Sequence, residues 1–170
     1  MKIGIFYSSA RGKSEFTATL IKDLLKENCD VYKIADDNAI VSLMKYRKLI
    51  FIVPTYGFGE PHEDWKKGIE KISKVDFEGK FVGIIGRGNK GFYAATFVNG
   101  MKPLYDILVE KKASIVGFTE TKGYDFVKSS AIVEGKFVGL PLDEIFMLQE
   151  TKEKLKKWIK NNFGEFLNEK

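Results

Sequence analysis

The segment Lys48–Val53 constrains the fold of this chain more than any other part of its sequence, because after its lysine it is apolar without interruption. A strand with one face in water alternates apolar and polar residues, whereas a continuous apolar run is typical of a central strand in a parallel sheet. Parallel strands need crossover connections, and strand-like and helix-like segments alternate along this chain. The pattern therefore predicts an α/β fold, with an open parallel sheet covered by helices on both faces.

Periodicity predicts five strands and the helices between them. The strands are predicted at Lys2–Tyr7, near Asp30–Ile34, at Lys48–Val53, at Phe81–Ile85 and from Ser114 to Phe118. A first helix is predicted at about 14–27, and a second helix is predicted to end near Tyr46. Further helices are predicted around Trp65–Ile72, around Phe97–Leu108, and at about 150–163. No helix fits between Phe118 and the strand-like run Lys136–Leu140, so we expect an insertion to split the fifth strand. With no linker or repeat, residues 1–170 are expected to form a single domain.

Composition excludes several kinds of site. The chain has one cysteine, Cys29, and one histidine, His62, so neither an internal disulfide nor a metal site built on several histidines is possible. Its first residues hold too short an apolar run for a signal peptide, and no stretch reaches membrane-spanning length, so we expect a cytoplasmic protein without membrane contact. The net charge is +5 with the lysines spread along the chain, and we expect a monomer that binds no nucleic acid.

Three segments that follow predicted strands are suited to a ligand: the first loop, Ser8–Ser14, the second loop, Pro54–Glu60, and the third loop, Gly86–Tyr93. The first loop opens a helix and offers hydroxyls and backbone N–H groups at the positive helix end, where a phosphate is stabilised. The second and third loops carry Tyr56 and Tyr93 among glycines, and two aromatic side chains on neighbouring loops can enclose a flat ring. Because parallel strands end at the same edge of the sheet, the loops together predict a site for a phosphorylated ligand with a flat ring.

Two nucleotide-binding motifs are matched only in part. Gly12-Lys13-Ser14 is the end of a P-loop, but the full pattern needs a glycine where Tyr7 stands. The residues from Gly86 to Gly91 have the glycine spacing of a dinucleotide fingerprint, yet they follow the fourth predicted strand, whereas that fingerprint belongs after the first. We therefore expect neither an NTPase nor a dinucleotide-binding domain.

With these loops the chain resembles the long-chain flavodoxins over nearly its whole length. The resemblance implies a flavodoxin-like three-layer sandwich, with the strand order 2-1-3-4-5 that is described for flavodoxins. It also implies noncovalently bound FMN in a low-potential carrier of single electrons between redox enzymes, with no catalytic acid or base, since the flavin carries the chemistry. The matching segments are Ser9–Ser14 for the T-x-T-G-x-T phosphate loop, Pro54–Glu60 with Trp65, Gly86–Tyr93, and, for the insertion and its return, Gly123–Phe126 and Gly135–Glu144.

The resemblance assigns roles by position. Tyr56 and Tyr93 would flank the isoalloxazine ring, and Asn89 would meet its pyrimidine edge. The ribityl phosphate would be bound by Ser9, Ala10, Arg11, Gly12, Lys13 and Ser14. Backbone contacts near N5 would come from Gly57, Phe58 and Gly59, and the other expected contacts are Pro54, Thr55, Gly86, Arg87 and Gly88.

The chain departs from this family in charge, since flavodoxins are usually acidic. Arg11, Arg87 and Lys90 lie in the predicted cofactor loops, and cations near a reduced flavin favour its anionic form. We therefore expect the potential of the semiquinone/hydroquinone couple to be less negative than in acidic flavodoxins. We also expect redox partners whose docking surfaces are acidic.

Two other functions stay open. One is an FMN-dependent reductase of a quinone or another small oxidant, for which we find no second nucleotide-binding loop, and the other is a flavodoxin-like protein that binds a different flat ligand, such as a tetrapyrrole.

Overall fold

A computed structural model describes residues 2–8, 12–56, 60–61, 63–89, 94–144 and 146–164, with the backbone alone described at 56 and 60. The strands are β1 Ile3–Tyr7, β2 Cys29–Lys33, β3 Lys48–Tyr56, β4 Glu60–Pro61, β5 Phe81–Gly88, β6 Ser114–Val116, β7 Thr119–Glu120, β8 Ile132–Val133, β9 Lys136–Phe137 and β10 Leu140–Asp143. The helices are α1 Lys13–Leu25, α2 Ala39–Leu43, α3 Glu63–Ile72, α4 Met101–Glu110 and α5 Leu148–Phe163.

The main sheet has the strand order β10-β5-β3-β1-β2, and all neighbours in this row are parallel. Strand β6 pairs in parallel with the start of β5, at residues 81–83, while β10 pairs with the end of the same strand, at residues 85–88. Strands β6 and β10 are therefore the two halves of one fifth strand. The predicted fold class, strand order and split fifth strand are confirmed.

The apolar run in β3 serves both faces of the sheet. Phe51 and Val53 belong to the core on the side of α2, α3 and α4, which also holds Trp65. Ile50 and Ile52 belong to the core on the side of α1 and α5. Because successive side chains of a strand point to opposite faces, a strand covered on both sides has no position left for a polar residue.

The insertion forms a small antiparallel sheet of its own, in the order β7-β9-β8, between the two halves of the fifth strand. The predicted return strand at Lys136–Leu140 is wrong in detail, because β9 ends at Phe137 and the main sheet resumes only at Leu140. Between them the chain passes so close to β5 that a Cβ on Gly139 would collide with the carbonyl oxygen of Ile84. The change from one sheet to the other is thus made at a position that only glycine can occupy.

Strands β3 and β5 extend beyond the ends predicted for them. The predicted ends were Val53 and Ile85, but β3 continues to Tyr56 and β5 to Gly88. The extension is paired, with Val53 opposite Gly86 and residue 54 opposite residue 87. Glycine at 86 is required by packing, since a Cβ there would collide with the side chain of Met101 on α4. Glycines that indicate a loop in the sequence are here part of a strand covered by a helix.

A hydrogen-bonded network closes the opposite end of the sheet. The hydroxyl of Tyr46 donates to Oδ2 of Asp30 at 2.5 Å and accepts from the hydroxyl of Tyr32 at 2.6 Å. Burial, followed by these contacts, raises the pKa of Tyr46. The bond from Tyr46, more than the nearby ammonium of Lys2, holds the pKa of Asp30 below its ordinary value.

Helix α2 ends at Leu43, before the predicted end near Tyr46.

None of the helices in the described part of the chain combines the length and the hydropathy needed to cross a bilayer.

Candidate cofactor site

The strands that precede the three predicted loops are neighbours, and their carboxyl ends lie at one edge of the sheet. Tyr7 at the end of β1 is paired with Ile52 of β3, which is in turn paired with Ile85 of β5. Several predicted site residues lie outside the described part of the chain, and their roles stay predictions: Ser9, Ala10, Arg11, Gly57, Phe58, Gly59 and Tyr93, as well as the side chain of Tyr56. His62 and Lys90 lie outside it too.

Two buried serine hydroxyls lie at the two ends of the first loop. Gly12 precedes α1 with a φ of +76°, a conformation that favours glycine. Ser14, in the first turn of α1, is fully buried, and Ser8, at the end of β1, is almost fully buried. The Oγ atoms of both serines have no hydrogen-bond partner among the described residues. Since buried hydroxyls are normally paired, two such donors beside a helix N-terminus fit a phosphate group.

Ser8 lies in the first predicted loop but is not among the residues predicted to contact the phosphate. Its only signal in the sequence is a hydroxyl directly after a strand, which is common. Burial without a partner is what distinguishes it, and burial is not visible in the sequence.

Glu144 links the first and third loops. Its Oε2 accepts from the ammonium of Lys13 at 2.8 Å and, more weakly, from the amide of Asn89 at 3.4 Å. Its backbone N–H donates to the carbonyl oxygen of Gly88 at 2.8 Å. Lys13 therefore has a carboxylate partner within the protein. Sequence analysis missed this role of Glu144, because the residue follows β10 and reaches the loops only through the pairing of β10 with β5.

Arg87 lies within β5 rather than in a loop. Its side chain is on the same face as Ile85 and lines a cavity of about 250 Å³ between the first turn of α1 and the start of α5. Burial lowers the pKa of Arg87, while the charges of Glu144 and Asp143 act in the opposite direction. The negative charges of these two carboxylates thus partly offset the positive charge of the Arg87 guanidinium. The expected shift in the flavin reduction potential depends in part on that positive charge, and it stays a prediction.

The second loop is anchored at both ends. Thr55 pairs with Pro61 in the short antiparallel strand β4, and its Oγ1 accepts from the backbone N–H of Gly100 at 3.0 Å. Trp65 is fully buried, and its indole N–H donates to the carbonyl oxygen of Ile52 at 2.8 Å. The hydroxyl of Thr55 and the indole of Trp65 therefore hold the backbone around the loop.

The insertion holds the chain directly after the third loop. The carbonyl oxygen of Ala94 accepts from the backbone N–H groups of Val127 and Lys128, both at 3.0 Å. Phe97 stacks on Phe126 of the insertion, with ring centroids 5.6 Å apart. A sequence segment that appears separate from the cofactor loops is thus packed against the residues that directly follow one of them.

Comparison with known proteins agrees with this geometry. Residues 5–158 match the protein-family model described as Flavodoxin. The chain belongs to the flavodoxin family. It is 36% identical over 170 residues to Flavodoxin 1 of Azotobacter vinelandii, with 98% of each chain covered, and 34% identical over 165 residues to a flavodoxin of Nostoc sp., with 97% of each covered. Membership of the flavodoxins implies redox protein partners and the role of an electron carrier rather than an enzyme.

A solved flavodoxin structure has the same fold. The crystal structure of Fusobacterium nucleatum flavodoxin bound to flavin mononucleotide superposes with a TM-score of 0.89 at 35% identity, over 97% of this chain and 98% of that one. The resemblance stated from the sequence is therefore confirmed at the level of family and fold.

Proposed function

We propose that this chain, as a single domain, binds one FMN at the carboxyl edge of its sheet and carries single electrons between redox proteins. The observation that carries the proposal is the pair of buried, unpartnered hydroxyls of Ser8 and Ser14 beside the start of α1. FMN-bound flavodoxin of the same fold supports it. Bound FMN would supply the one-electron chemistry, while the protein supplies binding, orientation and electrostatics.

The proposed site combines described and undescribed residues. Ser8 and Ser14 would donate to the phosphate, and the positive φ at Gly12 lets the first loop turn into α1. Asn89 would meet the pyrimidine edge of the ring, held by Glu144. The remaining proposed contacts are Ser9, Ala10, Arg11, Lys13, Pro54, Thr55, Tyr56, Gly57, Phe58, Gly59, Gly86, Arg87, Gly88 and Tyr93.

We further propose a monomer whose redox partners present acidic docking surfaces. The support is the net charge of +5, which favours association with negative surfaces and makes its rate fall as salt rises. Sedimentation of the purified protein tests the monomer, and electron-transfer rates measured across a range of ionic strength test the charge of the partner surface.

A titration of the apo-protein tests the function. We expect one FMN per chain and a weaker complex with riboflavin, because riboflavin lacks the phosphate that the serines would bind. Equal affinity for the two flavins would contradict a phosphate site, and a failure to bind either would contradict the proposal. Steady oxidation of NAD(P)H by the purified protein alone would instead favour a reductase.

A further inference from the structure

A cleft of about 380 Å³ lies between α5 and the chain that leaves β6 for the insertion. None of its lining residues belongs to the cofactor loops, and it is open to solvent. Its aromatic side chains and its amines come from both walls: Phe118, Lys122 and Tyr124 from the insertion side, and Lys154, Lys157 and Trp158 from α5.

The cleft is positively charged. Glu120 is the one carboxylate among its described lining residues, and it already lies 3.3 Å from the ammonium of Lys136 on the paired strand. Within the described ranges, no carboxylate is within ion-pair distance of Lys122, Lys154 or Lys157. Three lysines therefore line the same opening, and none of them has a carboxylate in ion-pair contact among the described residues.

The walls of the cleft are held in place before any ligand arrives. The ammonium of Lys154 lies 5.0 Å from the ring centroid of Tyr124 and 5.0 Å from that of Phe146, a cation–π geometry. The hydroxyl of Tyr124 donates to the carbonyl oxygen of Pro141 at 2.8 Å, and the indole N–H of Trp158 donates to that of Gly117 at 2.9 Å. Groups that are already ordered lose less conformational entropy when they bind.

The shape of the cleft suits a segment of polypeptide better than a single small anion. On α5 the polar lining continues from Lys154 through Lys157 to Asn161, a rise of about 10 Å along the helix axis. A single phosphate would contact one end of this row. Carboxylates spaced along a peptide could contact all of it.

The cleft begins near the cofactor edge of the sheet. Phe146, which packs against Lys154, follows Glu144, the residue that contacts Lys13 and Asn89. The opposite wall continues into the part of the insertion that is hydrogen-bonded to Ala94 after the third loop. A partner segment in the cleft would therefore place its protein beside the proposed electron-transfer site.

We propose that this cleft is a docking groove for a carboxylate-rich segment of a redox protein partner. The identity of the partner as a redox protein rests on the proposed function, whereas the charge and shape of the groove do not.

The test is an NMR titration of the isotope-labelled, FMN-loaded protein with an acetylated, amidated hexaglutamate peptide at low salt. The chain has two tryptophans, so two indole N–H signals report separately. We expect the Trp158 signal to shift, while that of Trp65, a buried residue of α3 on the other face of the sheet, does not. A shift of both signals, or of neither, would overturn the proposal.

A pair of matched triple variants tests the lysines. Replacing Lys122, Lys154 and Lys157 with glutamine should weaken peptide binding about tenfold, since individual solvent-exposed charge pairs contribute modestly and add up. The control replaces three other lysines of α5, which do not line the cleft, with glutamine: Lys152, Lys156 and Lys160. It removes the same charge and should change the affinity less than about threefold.

Equal losses in the two triple variants would mean that only net charge matters, and would overturn the groove. Displacement of the peptide by inorganic phosphate at matched ionic strength would indicate a small-anion site and would also overturn it. Flavin absorbance of the same samples is recorded in parallel. A loss of flavin with an unchanged peptide response would count against the proposed cofactor and not against the groove.

Discussion

The variant Ser14→Ala separates ligand binding from folding stability, because the hydroxyl of Ser14 is buried and has no hydrogen-bond partner in the described parts of the chain. In the apo-protein this hydroxyl has lost its hydration without gaining a bond, which costs free energy. With FMN bound, it is expected to donate to a phosphate oxygen. We therefore expect the variant to stabilise the apo-protein and to weaken FMN binding.

The two effects have opposite signs and similar size. An unpartnered buried hydroxyl costs about 1–3 kcal/mol, and alanine is a better helix former than serine by about 0.5 kcal/mol. Loss of the oxygen from a packed site offsets part of this, so we expect a net gain of about 1 kcal/mol, or a rise in Tm of about 2–4 °C. A hydrogen bond to a charged group contributes about 1.5–3 kcal/mol, so the dissociation constant for FMN should rise roughly 10- to 100-fold.

Thermal unfolding of the apo-protein measures the first effect, and fluorescence titration with FMN and riboflavin measures the second. The affinity for riboflavin should not change in Ser14→Ala, because riboflavin has no phosphate. Ser42→Ala is the control, since Ser42 is also a buried serine but lies on α2, on the other face of the sheet. It should leave the FMN affinity unchanged. If Ser14→Ala instead destabilises the apo-protein and keeps the FMN affinity, the phosphate assignment fails.

Three further predictions concern stability and reactivity. Tyr46→Phe should cost about 1–2 kcal/mol at neutral pH, since it removes a hydrogen bond to a charged but partly exposed carboxylate. Because the pKa of Asp30 is lowered in the folded state, the stabilisation is complete above the pKa of the unfolded chain, about 3.9, and is lost as pH falls through the pKa of the folded state. Urea unfolding should therefore show a smaller cost of Tyr46→Phe at about pH 3 than at neutral pH. An equal cost at both pH values would contradict the network. Gly83→Ala should cost about 1–3 kcal/mol, because its Cβ would lie 2.5 Å from the ring of Trp158, and an unchanged Tm would refute this. Burial raises the pKa of Cys29 to about 11, so we expect a thiol reagent at about pH 8 to label it only in denaturant; rapid labelling of the folded protein would show that the thiol is accessible.

Several features of the site could not be predicted because they depend on residues far apart in the chain. Glu144 reaches Lys13 and Asn89 only after β10 has paired with β5. Ser8 differs from any other serine after a strand only in being buried without a partner. The chain directly after the third loop is held by an insertion whose sequence has no visible relation to it, through bonds to the carbonyl oxygen of Ala94.

The sequence by itself determined the layers and the edge at which the loops gather, whereas the order of the strands followed only from the resemblance to the flavodoxins. It could do so because the period of apolar residues is a local property, and because a strand such as β3 that is apolar at every position has to be covered on both faces. Only the tertiary structure decided where β3 and β5 end, which face Arg87 occupies and which hydroxyls lack partners. Each of these depends on what a neighbouring strand or helix places against the residue, and such contacts between distant segments leave no periodic signal in the chain.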